Sequence, residues 1–212
     1  FGDELTIDDI VWMGDLPTIA ERAERVGVTD TRPRAALKEK VAAAVTAGRT
    51  VHYLPPYRAD NALLLHELLG VEPRRAAERA SLQFIRAVID QRSIKSEEEI
   101  VELERAVDTS VDMHTAAIRM ARPGMLESDV SAEVERIAIA AGGRPSFPVI
   151  ATVHGETLHN HFHGNTLAEG NLFLLDAGAE TAMGYAGDLS STFPVSSRFT
   201  DRQRMIYELQ LA

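Results

Sequence analysis

Two aspartates stand at places where carboxylates could do chemistry. Asp176 ends an apolar run, Leu172-Phe173-Leu174-Leu175, and Asp188 follows twelve positions later, after Gly184-Tyr185-Ala186-Gly187. A hairpin can set two such carboxylates side by side on one face of a sheet, in facing positions about 5–6 Å apart. Two anions that close repel, and one is driven toward protonation unless a cation lies between them. Oxygen donors of this kind suit Mn²⁺, Mg²⁺ or Co²⁺ better than metals that prefer soft ligands. Asp is also common in Gly-rich turns, so the pair taken alone fits an ordinary hairpin somewhat better than a metal site.

Four of the seven histidines fall together, at His154, His159, His161 and His163. In an extended segment His159, His161 and His163 project to one side, and three imidazoles on one face could hold zinc. The alternative is a polar loop in which one histidine has a task and the others are solvated. A third place, Met13-Gly14-Asp15 beside the single tryptophan Trp12, fits a core or lid position better than a catalytic one.

These residues need elements to hold them. Across the first ninety residues short apolar segments alternate with turns, the rhythm of an α/β layer. Ile10-Val11-Trp12 and Thr50 to Tyr53 read as strands; residues 16–26, Ala35 to Ala47, Asn61 to Leu69 and about Ala76 to Ile89 read as helices. Ser96 followed by Glu99 is a capping box that opens a long helix, ending before Pro123-Gly124. Its apolar side is expected to carry Ile100, Leu103, Ala106, Val107, Val111, His114 and Ile118. A further amphipathic helix spans roughly Glu127 to Ala140, and beyond Pro145 the pattern turns to β at Val149-Ile150, Asn171 to Asp176 and Tyr185 to Phe193. The expected fold class is therefore α/β in two domains, 1–92 and 93–212, with the boundary near residues 90–95.

Composition narrows the function. The 212 residues are 45% hydrophobic and carry 32 acidic against 22 basic side chains, a formal charge of −10. A nucleic-acid grip needs a basic face to displace counterions, so no nucleic-acid partner is expected. With no cysteine there is no disulfide framework, thiolate zinc site or cysteine nucleophile, and a reducing, cytoplasmic location is favoured. No apolar run reaches the ~18–20 residues of a membrane span. The opening Phe1-Gly2-Asp3-Glu4 lacks an initiator Met and a signal peptide, and the end at Leu211-Ala212 falls in mid-pattern of a helix. Both ends suggest a piece of a longer protein.

From Arg92 to Glu208 the chain resembles the Xaa-Pro aminopeptidase and prolidase family, metallopeptidases of the pita-bread fold. The resemblance is carried by Arg92-Ser93-Ile94-Lys95-Ser96 with Glu99-Ile100, Arg122-Pro123-Gly124-Met125 with Glu127, and Leu158-His159. It continues through Asp176-Ala177-Gly178-Ala179, Gly184-Tyr185-Ala186-Gly187-Asp188, Thr192-Phe193-Pro194-Val195, and Phe199 to Arg204 with Tyr207. Residues 1–92 resemble the later part of the creatinase-type N-terminal domain, by position more than by motif. The implied architecture is a creatinase-like α/β domain followed by an incomplete pita-bread catalytic domain.

The family holds two divalent metal ions, usually manganese, with two Asp, one His and two Glu. The resemblance implies that Asp176 and Asp188 are metal ligands. It also implies that His159 is the catalytic histidine that contacts substrate and handles protons. Two departures matter. Eleven residues separate the aspartates, one more than usual, with the extra residue assigned to the turn at Thr181-Ala182-Met183. In the family the histidine is followed by Tyr and, four places on, by Asn. Here Asn160 follows His159 and Asn165 lies four after His161, which makes His161 an alternative claimant as a substrate-binding residue.

The one His ligand and both Glu ligands belong beyond residue 212. The chain alone is accordingly expected to be inactive and to bind manganese poorly, while its parent is an exopeptidase that releases an N-terminal residue preceding proline. Metal assistance suits that bond, whose tertiary amide offers no N–H to grip. The alternatives are a prolidase acting on Xaa-Pro dipeptides and a non-catalytic pita-bread binding module. A metal-free amidinohydrolase of the creatinase type would not be expected to keep both aspartates. The partners implied are a peptide with proline second and further copies of the chain in a homo-oligomer, with no membrane.

Overall fold

A computed structural model of the protein describes residues 5–211; the Phe1-Gly2-Asp3-Glu4 opening and Ala212 lie outside them. The chain divides into two units, Phe1–Ile94 and Lys95–Ala212.

In the first unit Thr6 and Asp9 form a capping box, the threonine hydroxyl accepting from the Asp9 N–H while the carboxylate accepts from the Thr6 N–H. That box draws the expected strand at Ile10-Val11-Trp12 into helix α1, Ile7–Met13. Helices α2 (Ile19–Glu24), α3 (Ala36–Thr46) and α4 (Ala59–Leu69) follow. Gly70 ends α4 in the left-handed conformation, φ 67°. The helix expected from Ala76 to Ile89 is instead a 3₁₀ turn at Pro73–Arg75 and helix α5, Leu82–Ser93, capped by the Ser81 hydroxyl.

Thr50 to Tyr53 is not a strand, and no strand occurs among the described residues of this unit, so the α/β alternation expected there is replaced by helices and irregular chain. A segment becomes a strand only where another strand takes up its backbone groups. Here the Tyr53 carbonyl accepts from the Ser81 N–H at the entrance to α5. Only Val71 and Ala76 are buried among this unit's described residues, and Trp12, expected in a core or lid, is 86% exposed.

The second unit opens with two long helices, α6 (Glu97–Met120) and α7 (Glu127–Ala140). Strands β1 (Arg144–Pro145), β2 (Ile150–Thr152), β3 (Leu172–Ala177), β4 (Ala179–Glu180) and β5 (Leu189–Pro194) come next, then helix α8 (Asp201–Leu211). An antiparallel sheet runs β2-β3-β5, and β1 pairs with β4. Burial alternates along β3, with Phe173, Leu175 and Ala177 inward. They meet Met113 and Ala117 of α6, Val130, Val134 and Ala138 of α7, and Phe193 of β5 in one core.

The side of α6 turned to this core matches expectation at Ala106 and His114 and differs from it at the large aliphatic residues. Ala106, Ser110, Met113, His114 and Ala117 are buried, whereas Ile100, Val107, Val111 and Ile118 are exposed. The reason is close approach: a Cβ on Gly187 would lie 2.4 Å from Ser110 Oγ and 2.8 Å from the Ala106 carbonyl oxygen. Small side chains on α6 let the β hairpin come that near, and the larger aliphatic ones cannot. The N-terminal end of α6 carries the capping box Ser96–Glu99. Ser96→Ala removes the acceptor for the Glu99 N–H and is expected to cost about 1 kcal/mol, read as a lower urea midpoint at unchanged slope.

Candidate functional site

Asp176 lies near the end of β3, half-buried, on the side of the strand opposite to Phe173, Leu175 and Ala177. The β3–β5 register sets Asp176 across from Ser190 and Ala177 across from Leu189. It continues outward through the Gly187 N–H donating to the Ala179 carbonyl at 2.8 Å and a bridge between Glu180 and Ala186. Gly178 is therefore the residue opposite Asp188. The two aspartates are diagonal neighbours and not facing ones, which corrects the expected pairing. Alternation keeps them on one side of the hairpin, and such diagonal positions lie about 7–8 Å apart.

The hairpin tip is a tight turn at residues 181–185. The Thr181 N–H donates to the Tyr185 carbonyl at 2.8 Å and the Gly184 N–H to the Thr181 carbonyl at 2.9 Å. Gly184 supplies the positive φ of 83°. The place assigned to the extra residue is thus an exposed turn, where added length is cheap.

Neither Asp176 nor Asp188 has a hydrogen-bonding or ion-pairing partner for its carboxylate among the described residues. The carboxylates elsewhere on this sheet region are held differently. Glu180 forms a two-pronged pair with Arg144 at 2.8 and 3.2 Å, which holds its carboxyl below the ordinary range. Two oxygen-bearing side chains left without a cation on one side of a hairpin fit a hard divalent ion, whose metal–oxygen bonds run about 2.0–2.6 Å. Among the described residues no group of three or more His, Asp or Glu side chains could hold a metal ion.

The histidines lie in a loop and not on a strand, so the arrangement of three imidazoles along an extended face does not occur. The chain leaves β2 at Thr152, turns at residues 155–159 and runs without regular structure to Asn165. His154 Nδ1 meets Glu156 at 3.0 Å, and His163 Nε2–H donates to the Val149 carbonyl at 3.1 Å. His159 and His161 are exposed. The loop follows the strand next to Asp176, since Ile150 of β2 stands opposite Asp176 and Thr152 opposite Leu174.

Two buried polar residues emerge from the structure that spacing alone did not single out. His114 of α6, 5% exposed, donates from Nε2–H to the Ala177 carbonyl at 3.0 Å and shares a 2.7 Å hydrogen bond from Nδ1 with Ser191 Oγ. It joins β3 to β5 one residue beyond Asp176. The signal was a lone histidine within an otherwise apolar helix side. Glu127, the first residue of α7, is fully buried. An acidic residue at a helix start is ordinary, so although Glu127 belongs to the motif that carries the resemblance, nothing in the sequence marked it as buried.

Residues 101–212 match the model of metallopeptidase family M24. The chain belongs to that family. It is 36% identical over 152 residues to the Xaa-Pro aminopeptidase of Escherichia coli, covering 67% of this chain and 34% of that protein. A probable Xaa-Pro aminopeptidase of Chaetomium globosum is 32% identical over 203 residues, 94% of this chain and 33% of its own length. Among solved structures, a variant of Escherichia coli aminopeptidase P in complex with substrate superposes with a TM-score of 0.80 at 27% identity, covering 97% of this chain and 48% of that one. The M24 chain thus spans about a third of the curated relatives and about half of the solved structure. The mixed α/β architecture is that of aminopeptidase P, and no helix of the described residues is long and apolar enough to cross a membrane.

Proposed function

We propose that this M24 chain is part of a metal-dependent exopeptidase that releases an N-terminal residue preceding proline. The observation that carries the reading is the pair Asp176 and Asp188, carboxylates without a cationic partner on one side of a hairpin in a chain of a metallopeptidase family. Asp176 and Asp188 hold divalent ions, with the remaining ligands supplied by chain beyond residue 212. Oxygen donors suit a hard divalent ion, and manganese is the one the family resemblance implies. When bound, the ions supply Lewis acidity toward the scissile carbonyl. His159 contacts the peptide and moves a proton at its imidazole, and His161 binds substrate beside it.

Residues 1–92 form the later part of a creatinase-type N-terminal domain and residues 93–212 the first half of a pita-bread domain. The helix side bearing Ile100, Val107, Val111 and Ile118 lies at the surface and supports assembly with further copies. A chain without cysteine suits the cytoplasm.

The test is an assay on an Xaa-Pro-Xaa peptide with added Mn²⁺, using the 212-residue chain and a protein extended to the length of its relatives. Turnover is expected from the longer protein alone, since the chain brings two of the ligands. Equal turnover by the short chain would show that the assigned ligand set is wrong, and no turnover by either would remove the peptidase reading.

A further inference from the structure

The Glu127 carboxylate is fully buried, and four donors converge on it. Oε1 accepts from Thr152 Oγ1 at 2.9 Å and from the Val153 N–H at 2.8 Å. Oε2 accepts from the Asn165 N–H at 3.1 Å and from Asn165 Nδ2 at 2.9 Å. No salt bridge to this carboxylate occurs among the described residues; neutral donors alone hold it. Thr152 and Val153 are where the histidine loop begins, and Asn165 is where it ends. The Glu127 side chain therefore ties together both ends of the neck of residues 154–164, the segment that carries His154, His159, His161 and His163, beside the Glu127 and Ser128 N–H groups, which donate to the Asn165 and His163 carbonyls at 3.0 Å.

The contact extends into the loop. Thr152 donates its only hydroxyl proton to Glu127, which leaves its oxygen free to accept. It accepts from the His154 N–H at 2.9 Å and from Asn160 Nδ2 at 3.2 Å. Asn160 in turn accepts the Phe162 N–H on Oδ1 at 3.1 Å. Asn160 is the residue between His159 and His161, so the hydrogen bonds run without a break from the buried carboxylate to the backbone bearing both histidines. The neck also starts two residues along β2 from Ile150, which stands opposite Asp176, a span of about 7 Å.

A carboxylate in a low-dielectric interior is costly unless its lone pairs are used. Here they are used on the two ends of a single loop, an arrangement that fixes a loop and adds little to the core.

We propose that Glu127 is a positioning residue: acting through Thr152 and Asn160, it holds the loop so that His159 and His161 are presented in one fixed arrangement. The inference deepens the peptidase reading, in which those two histidines meet the substrate, and rests on it for its functional meaning. Gln cannot replace Glu here. Its NH₂ would face a backbone N–H at either oxygen position, Val153 on one side and Asn165 on the other, so one of the two side-chain ties across the neck is lost.

The test uses the 212-residue chain labelled with ¹⁵N, reading amide hydrogen exchange together with the imidazole resonances of His159 and His161. Glu127→Gln is expected to speed exchange at Val153 or Asn165 by roughly tenfold or more. It should also move both imidazole resonances toward those of an unstructured peptide, with amides of β3 and β5 unchanged. Thr152→Val should release His154 and the two imidazoles while leaving Asn165 protected, and Thr152→Ser should restore the parent spectrum. If Glu127→Gln does not fold, the Thr152 pair decides alone.

Imidazole resonances that stay in place in a folded Glu127→Gln or Thr152→Val variant would overturn the proposal. So would failure of Thr152→Ser to restore them. The readout needs no turnover, so it separates this inference from the catalytic one. A His159→Ala variant of the longer protein with full activity would remove the role of that histidine and leave the loop clamp standing.

Discussion

Gly178→Ala is expected to destabilise the second unit by about 3 kcal/mol, the upper end of overpacking costs, read as a fall in the urea midpoint or as failure to fold. A Cβ at Gly178 would sit 1.9 Å from the Gly187 carbonyl oxygen and 2.7 Å from Ser146 Oγ. The first of these atoms is backbone and has no rotamer by which to escape. It is also pinned, because Ser146 Oγ donates to that same Gly187 oxygen at 2.7 Å while the Ser146 N–H donates to the Gly178 carbonyl at 3.0 Å. Relief can come only by spreading the hairpin between Asp176 and Asp188. Gly155→Ala is the milder comparison: its methyl would meet only Leu174, 3.2 Å from Cβ and 3.4 Å from Cδ2, a contact relieved by a shift of a few tenths of an ångström. Equal urea midpoints for Gly178→Ala and the parent would mean that the two glycine backbones do not approach as described.

The larger functional effect is expected from Asp176→Asn in the longer protein. The change keeps the shape of the side chain and removes its charge, so the β3–β5 register of Asp176 with Ser190 should survive. Binding of Mn²⁺, measured by calorimetry, should be lost or strongly weakened. Turnover of an Xaa-Pro-Xaa peptide should fall roughly a thousandfold, which corresponds to about 4 kcal/mol of transition-state stabilisation. Asp188→Asn should behave alike if the two side chains serve one centre. A variant that binds the ion and turns over peptide at the parent rate would remove Asp176 from the metal site.

What could be read in advance follows from how local each signal is. The capping box at Ser96–Glu99 and the apolar run before Asp176 act within a few residues, and the structure places α6 and β3 there. Ile10-Val11-Trp12 failed because the Thr6–Asp9 box was a stronger local signal than three apolar residues. Thr50 to Tyr53 failed for a different reason, since a strand depends on a partner that composition does not reveal. The inward side of α6 is legible only in part: Ala106 and His114 are buried, but the large aliphatic residues expected beside them are not, because the close approach of Gly187 admits only small side chains such as Ala106 and Ser110. The aspartate pair was legible from its spacing, but its diagonal register was not, since one residue in a turn shifts the pairing. The burial of Glu127 was not legible because its partners Thr152 and Asn165 are 25 and 38 positions away.

The order of elements in the second unit has a bearing on how it is made. Helices α6 and α7 are joined by residues 121–126 alone and are consecutive in the chain, while the strands that cover them arrive later. During synthesis from the N-terminus at about 5–20 residues/s, the stretch from residue 140 to residue 193 takes roughly 3–10 s. For that time Met113, Ala117, Val130 and Val134, all fully buried in the finished unit, have neither Phe173 nor Phe193 to cover them. A helix pair with one naked apolar side is competent to associate with any other apolar surface it meets. The interval before the β3–β5 hairpin closes is therefore when the nascent chain depends most on being shielded, and slowing translation between α7 and β5 would lengthen its exposure in direct proportion.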